Sequence, residues 1–447
     1  MFWFLYNVLF VIGFTLCLPY YLFRMARRGG YRRGFLQRIG IWEPAHRARI
    51  RSRPRFWIHA VSVGEVQVAL RVMDEMRARD SATAFLLTTT TSTGYALART
   101  RLNADDELAY FPIDFPPVTR RALDAFRPLG ILIVETELWP NLIRLANRRG
   151  VPVALVNGRL SERSCRRYRW VRSFFRRAIH GVGLICAQTE EDARRFKELG
   201  ADPLRLRVTG SVKYDVAEPD SRPGAAARGV LDAMGVAPTD LLWVAGSTWP
   251  GEETAVLKAF AGLRRDFPSL KLVLVPRHAE RSPDVEAELR RTSFSWIGRR
   301  AMAASGIASP RDVLLLDTTG ELAGFYACAT VVFVGKSLTC HGGQNVIEPA
   351  MFGKPVLTGP HTENFAEVVR DLTGIGALQQ VSDVHQLEAA IRALLSDVNL
   401  RNERGMRAGE FVRSKRGAVV RTVDAVLGAI AVSSATSRNC LFERSKE

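Results

Sequence analysis

The sequence predicts two doubly wound α/β domains in tandem, preceded by an apolar helix. Three observations predict it. Apolar runs of strand length alternate with helix-period stretches along most of the chain. A Pro-, Gly- and Ala-rich interval, VAEPDSRPGAAARG (Val216–Gly229), lacks periodicity and splits that alternation into two halves. The N-terminal stretch Phe2–Phe23, FWFLYNVLFVIGFTLCLPYYLF, carries no charge at all.

The N-terminal stretch comes first. As a helix rising about 1.5 Å per residue, it is long enough to cross a hydrocarbon core of about 30 Å. Arg24, Arg27, Arg28, Arg32 and Arg33 follow at once, which orients the rest of the chain to the cytoplasmic side. A cleaved leader would carry its charge before the apolar run and a small-residue cleavage site after it. Neither is present. Pro19 and the aromatic content leave a second arrangement open, a helix lying in one leaflet.

The first domain has candidate strands at Phe56–Val61, Phe85–Thr88, Ala109–Phe111, Ile131–Val134, Val153–Val156 and Leu184–Ala187. After the first of them, Val66, Ala69, Leu70 and Met73 follow helical spacing. The second domain has candidates at Leu241–Ala245, Leu272–Val275, Val313–Leu316, Val331–Val334 and Val356–Leu357. The division expected is an anchor at 1–30, a first domain at 31–215, a linker at 216–235, a second domain at 236–432 and a polar, frayed tail at 433–447.

Composition narrows the function. Lys+Arg 63 against Asp+Glu 45 gives a net charge of +18, which suits nucleic acid, anionic headgroups or phosphorylated substrates. Six scattered cysteines without C-x-x-C read as free thiols in a reducing compartment. Seven histidines without H-x-x-x-H spacing argue against a dedicated metal site. The stretch RRYRWVRSFFRR (166–177) suits an amphipathic helix on anionic lipid better than nucleic acid.

In doubly wound domains, ligands bind beyond the C-terminal ends of the strands. The informative residues should stand there, and several do. WIHAVSVGEVQVAL (57–70) puts Glu65 in the first turn of a helix, where it is either a helix-terminus charge or a base at the sheet rim. ILIVETELWPNLI ends an apolar strand in Glu135, Thr136 and Glu137; carboxylates there face a cleft or have partners. RVTGSVKYD places Lys213 after a strand. KLVLVPRHAER ends at Pro276 and Arg277, and an arginine there suits a phosphate or carboxylate. Thr319, Gly320 and Glu321 lie between a strand and a helix, where backbone N–H groups can face an anion or Glu321 can serve as a cap. HGGQNVIEP (341–349) brings two glycines and Asn345 to a helix start near Val346, with Ile347 and Glu348 in the first turn. That pattern cradles phosphate, and Glu348 can accept from a ribose diol.

Together SVGE (62–65), ETELWPN (135–141), NGRLSERS (157–164), GSVKYD (210–215), GSTWPGEE (246–253), PRHAER (276–281) and HGGQNVIEP resemble the 3-deoxy-D-manno-octulosonic acid (Kdo) transferases of lipopolysaccharide assembly. The resemblance runs from the N-terminal helix to about residue 430. It implies a GT-B fold of two Rossmann-like domains facing a cleft. It implies transfer of Kdo from CMP-Kdo to a lipid A precursor, with inversion and without metal or cofactor. The enzyme would sit at the cytoplasmic face of the inner membrane, among anionic lipids, with no nucleic-acid partner. By motif, Glu65 is the general base, and Glu137 and Lys213 stabilise the transition state, with Glu135 the less favoured acid. CMP contacts fall to Pro276, Arg277, Thr319, Gly320, Glu321 and Asn345, Val346, Ile347 and Glu348. Gln344 stands where many relatives carry His, and Lys336 where Gly is common. The alternatives are another GT-B enzyme using a different nucleotide-sugar, and a membrane-anchored basic nucleic-acid-binding protein. One tension remains open at this level: a helix N-terminus depresses the pKa of Glu65 and weakens it as a base, unless burial or nearby acids offset this.

Overall fold

The computed structural model describes residues 2–28, 34–215, 221–305 and 309–444. The chain forms two compact units, Met1–Val216 with Arg416–Glu447, and Ala217–Lys415. Each is built on a seven-stranded sheet in which all pairings are parallel.

In the first unit the strands are β1 (Phe56–Ala60), β2 (Phe85–Thr89), β3 (Glu107–Tyr110), β4 (Ile131–Val134), β5 (Val153–Gly158), β6 (Leu184–Ala187) and β7 (Leu206–Val208). Their order is β3-β2-β1-β4-β5-β6-β7. Apolar side chains leave both faces of β1: Trp57 joins one core, while Phe56, Ile58 and Ala60 join the other. This two-residue alternation, covered by helices on both sides, makes the strand read as one continuous apolar run.

The second unit holds β8 (Leu242–Thr248), β9 (Lys271–Pro276), β10 (Trp296–Gly298), β11 (Val313–Leu315), β12 (Val331–Val334), β13 (Val356–Thr358) and β14 (Leu378–Gln380), ordered β10-β11-β9-β8-β12-β13-β14. In both sheets the chain winds outward one way and then returns to the far side of its first strand. The winding reverses between β1 and β4, and between β8 and β12. Ligands of open α/β sheets bind outside the carboxyl ends at such points.

Four sequence expectations need correction. The strands β7, β10 and β14 were not anticipated; each is three residues long, too short to show an apolar period. The stretch expected as a linker forms a helix over Ser221–Ala233, with Ala227 and Leu231 buried. Its alanines favour the helix and Pro223 falls in the first turn, where proline is tolerated; residues 216–220 lie outside the described set. Residues from Arg416 onward belong with the first unit, not the second. The helix Ala418–Arg444 places Ala418, Val423 and Val426 in a core of the first sheet, against β5, β6 and the helix Val63–Arg79, and Asp215 accepts from the backbone N–H of Gly417 and Val419 at 2.6 Å each. The expected tail is helical as far as Arg444.

The fourth concerns the N-terminal helix, Phe2–Arg28. Among the described residues, no helix is long and apolar enough to cross a membrane. One face packs on the first unit instead. Tyr6 Oη donates to Asp114 Oδ2 at 3.1 Å and Asn7 Oδ1 accepts from Asn141 Nδ2 at 2.9 Å. Tyr6 also meets Phe174 in a tilted ring contact, and the Arg144 guanidinium lies over the Trp3 ring. The opposite face leaves Phe4, Leu5, Leu9, Ile12 and Leu16 exposed. Of the arginines that follow, Arg32 and Arg33 lie outside the described residues.

Candidate active site

The first unit gathers its functional groups where its winding reverses. β1 runs into Val61 and Ser62, and Ser62 caps the helix Val63–Arg79. Ser62 Oγ donates to Glu65 Oε1 at 2.8 Å and the Val61 N–H donates to Oε2 at 2.8 Å. Ser62 Oγ in turn accepts from the Glu65 N–H at 3.4 Å, a variant of the capping box in which the acid takes the N–H of Val61 in place of the cap residue's own. Glu65 is nonetheless 8% exposed, and its carboxyl is pushed up from 4.5 to about 7. Burial is the largest cause; the bonds from Val61 and Ser62 pull the other way, and the charges of Glu135 and Glu137 add to the rise. The conflict between helix terminus and basicity is therefore decided by desolvation.

β4, next to β1, is followed directly by Glu135, whose φ of 58° lies in the left-handed region. Such a backbone costs about 1–3 kcal/mol for a non-glycine residue and concentrates at functional sites. Lys213 Nζ meets Glu135 Oε1 at 3.4 Å, so the lysine pairs with the acid that the motif reading favoured less. Burial and the charge of Glu135 raise the carboxyl of Glu137 above its ordinary value. Two contacts hold these loops in register. Thr136 bonds to Arg159, and the buried Asn157, at φ 55°, accepts from the Val212 N–H at 3.0 Å. Asn157 was not singled out from sequence, and Thr136 was named only as part of a strand end; the motifs NGRLSERS and ETELWPN were the available signal.

The second unit assembles its own set. Pro276 closes β9 and is buried, while Arg277 is exposed. Arg277 Nε donates to Gln344 Oε1 at 3.0 Å, so Gln344 supplies an acceptor to the guanidinium. Asn345 Oδ1 accepts from the Ile347 N–H and Asn345 Nδ2 donates to Glu348 Oε1, both at 3.0 Å. The helix that follows is short, Ile347–Met351, with Val346 as its cap. Burial raises the Glu348 carboxyl, against the opposing effects of Asn345 and Arg277. Thr319 and Gly320 are exposed, with Gly320 at φ 91°. Glu321 makes no cap bond and pairs with Arg299 Nε at 2.9 Å.

Histidines also meet here. His341 Nδ1 lies 2.7 Å from Glu363 Oε1, and His361 Nδ1 lies 3.8 Å from the same oxygen. The ligand atoms of these three residues lie within 4.8 Å of one another. Sequence spacing missed the group because it forms between the loops after β12 and β13, adjacent strands of the sheet.

A family profile described as 3-deoxy-D-manno-octulosonic-acid transferase matches residues 33–216, and one described as glycosyl transferases group 1 matches residues 313–411. A 3-deoxy-D-manno-octulosonic acid transferase of Haemophilus influenzae is 33% identical over 87% of this chain and 93% of its own length. One of Bordetella pertussis is 35% identical over 91% of this chain and 94% of its own. The chain belongs to the Kdo transferase family. It is a glycosyltransferase of lipopolysaccharide biosynthesis. A solved UDP-GlcNAc 2-epimerase from Neisseria meningitidis covers 84% of the chain with a TM-score of 0.56 at 12% identity. That likeness concerns the fold alone, two parallel-sheet α/β units of the GT-B kind.

Within this Kdo transferase, the strained non-glycine positions Glu135, Asn157, Ser247 and Lys336 all stand at or just beyond strand C-termini, with φ between 54° and 58°. Lys336 thus holds a backbone conformation that glycine adopts freely.

Proposed function

We propose that this Kdo transferase takes Kdo from CMP-Kdo and delivers it, with inversion, to a hydroxyl of a lipid A precursor. The observation that carries the reading is Glu65, a buried carboxylate with a proton affinity near neutrality. In the proposed step Glu65 takes the hydroxyl proton as the acceptor oxygen attacks the anomeric carbon. The bond from that carbon to the phosphate oxygen breaks, and CMP leaves with the electron pair. A positioned base supplies about 10²–10⁴-fold. Lys213, with Glu137 or its own partner Glu135, steadies the charge that develops. Arg277, Thr319, Gly320, Glu321 and the stretch Asn345–Glu348 hold the CMP moiety, Glu348 toward the ribose. Preformed cations and backbone donors meet the phosphate charge without metal. The assay is acceptor-dependent CMP release from CMP-Kdo by detergent-solubilised protein. Release is expected to continue in excess EDTA, and to cease in Glu65→Ala while CMP still binds. Release in Glu65→Ala, or loss of release in EDTA, would sink that part of the reading.

We also propose that the N-terminal helix lies in the inner membrane's cytoplasmic leaflet. Its exposed apolar row supports this, as does Trp170, 92% exposed among the arginines of 166–177. An apolar face flanked by cations suits the interface of an anionic bilayer. Flotation with phosphatidylglycerol vesicles is expected for the wild type and strongly reduced for Leu9→Asp/Ile12→Asp. Equal flotation of the two would overturn the placement.

A further inference from the structure

The Glu-Glu pair of GSTWPGEE has no assigned role in donor binding. Glu252 is the first residue of the helix Glu252–Leu263 and is completely buried. A first-turn acid normally caps its own helix, and Glu252 Oε2 does accept from the Trp249 N–H at 2.9 Å. Its remaining bonds reach across the sheet to the loop after β12. Oε2 accepts from the Lys336 N–H at 2.7 Å, and Oε1 accepts from those of Ser337 at 2.8 Å and Leu338 at 2.7 Å. Three successive N–H groups turned inward from a left-handed residue form an anion nest of the kind that holds phosphates. Lys336 is that residue, at φ 54°. A Cβ at Gly335 would lie 2.6 Å from Glu252 Oε2, so this position has room only for glycine.

The carboxylate therefore fills the nest at the reversal between β8 and β12, where an open α/β sheet otherwise offers its ligand site. The loop is fixed beyond it as well. The Gly343 N–H donates to the Lys336 carbonyl at 2.8 Å. The Lys336 ammonium sits 4.6 Å from the centre of the Trp249 ring, and Thr339 Oγ1 donates to the Pro250 carbonyl at 2.9 Å. Gly343 precedes Gln344, which holds Arg277.

Building on the donor-site reading above, we propose that Glu252 is a positioning residue for CMP-Kdo. It occupies the phosphate nest itself and sets the 336–345 loop, so the donor phosphate is met farther out, by Arg277 and the Gly342–Asn345 backbone. A mere helix cap would lower stability without touching the donor, so affinity and local order separate the two roles. Glutamine keeps the shape but turns an NH₂ toward N–H donors; aspartate keeps the charge but is one carbon short.

The test uses the full chain in detergent, as wild type, Glu252→Gln and Glu252→Asp. It measures hydrogen exchange of peptides covering 335–345, CMP affinity by calorimetry, and KM for CMP-Kdo. Because misplacement of about 1 Å can cost about 10²-fold, the CMP dissociation constant and KM are expected to rise at least ~10-fold in Glu252→Gln. Exchange over 335–345 should quicken while the strands stay protected, with Glu252→Asp intermediate. If Glu252→Gln does not fold, Glu252→Asp carries the same comparison. Unchanged affinity and loop exchange, or protection lost equally across the whole second unit, would overturn the proposal. A wild type that binds no CMP would overturn the donor reading instead, and loop exchange would still decide whether Glu252 holds the loop.

Discussion

Glu65→Gln yields a folded protein that no longer transfers. Glutamine is the other residue that closes a capping box. Its carbonyl can accept from the Val61 N–H, and its amide can donate to Ser62 Oγ, the two groups that Glu65 engages now. It cannot take a proton. kcat/KM is expected to fall by about 10²–10⁴-fold. Stability moves the opposite way. The folded carboxyl titrates at about 7 against an ordinary 4.5, so between those values the native state holds more protons than the unfolded chain. Wild-type stability therefore falls as pH rises through this window, with a full cost of about 3 kcal/mol above it. The variant lacks that cost. Its melting temperature should exceed the wild type's at pH 8, and the gap should close below about pH 4.5. Wild-type kcat/KM should in turn decline as pH drops through about 7. A variant that keeps transferring, or a wild-type rate flat between pH 5 and 8, would remove Glu65 as the base.

The largest loss of stability is expected from Asp114→Ala. Asp114 is 1% exposed. Oδ2 accepts from the Asn141 N–H at 2.9 Å, and Oδ1 accepts from the Leu142 N–H at 2.8 Å, at the start of the helix that follows ETELWP. Oδ2 also receives Tyr6 Oη. Alanine leaves two buried N–H groups without acceptors, at about 1–3 kcal/mol each. The unfolding free energy should drop by about 3 kcal/mol or more in urea titration. The pH dependence has a definite sign. Burial pushes the Asp114 carboxyl up from 3.8 to about 6, so its own contribution declines as pH rises across that range. The deficit of the variant should therefore be greater at pH 4 than at pH 8. A loss below about 0.5 kcal/mol, the size typical of a surface change, would mean the N–H groups find other acceptors.

Much of this protein is legible along the chain. Ile131–Val134 and Leu184–Ala187 are strands at the expected bounds, because an apolar run covered on both faces is a local signal. The positions just beyond the strands could be named as functional candidates from the chain alone. Burial and distant partners could not be read in this way. That Lys213 meets Glu135, that Glu252 binds a loop more than eighty residues away, and that three histidine and glutamate side chains converge after β12 and β13 all depend on strand order. The N-terminal helix shows the difference: its lack of charge is in the sequence, but the face it commits to Asp114 and Asn141 is not.

The sequence by itself determined the alternation of strands and helices, the two-unit plan and the candidate positions for chemistry. Each follows from the spacing of neighbours along the chain. Only the tertiary structure decided that the helix from Ala418 returns to the first sheet, that Glu65 is held near neutrality, and which carboxylate each cation or N–H group meets. The physical reason is that desolvation and hydrogen bonding act between groups brought together by the sheet order, not by the chain.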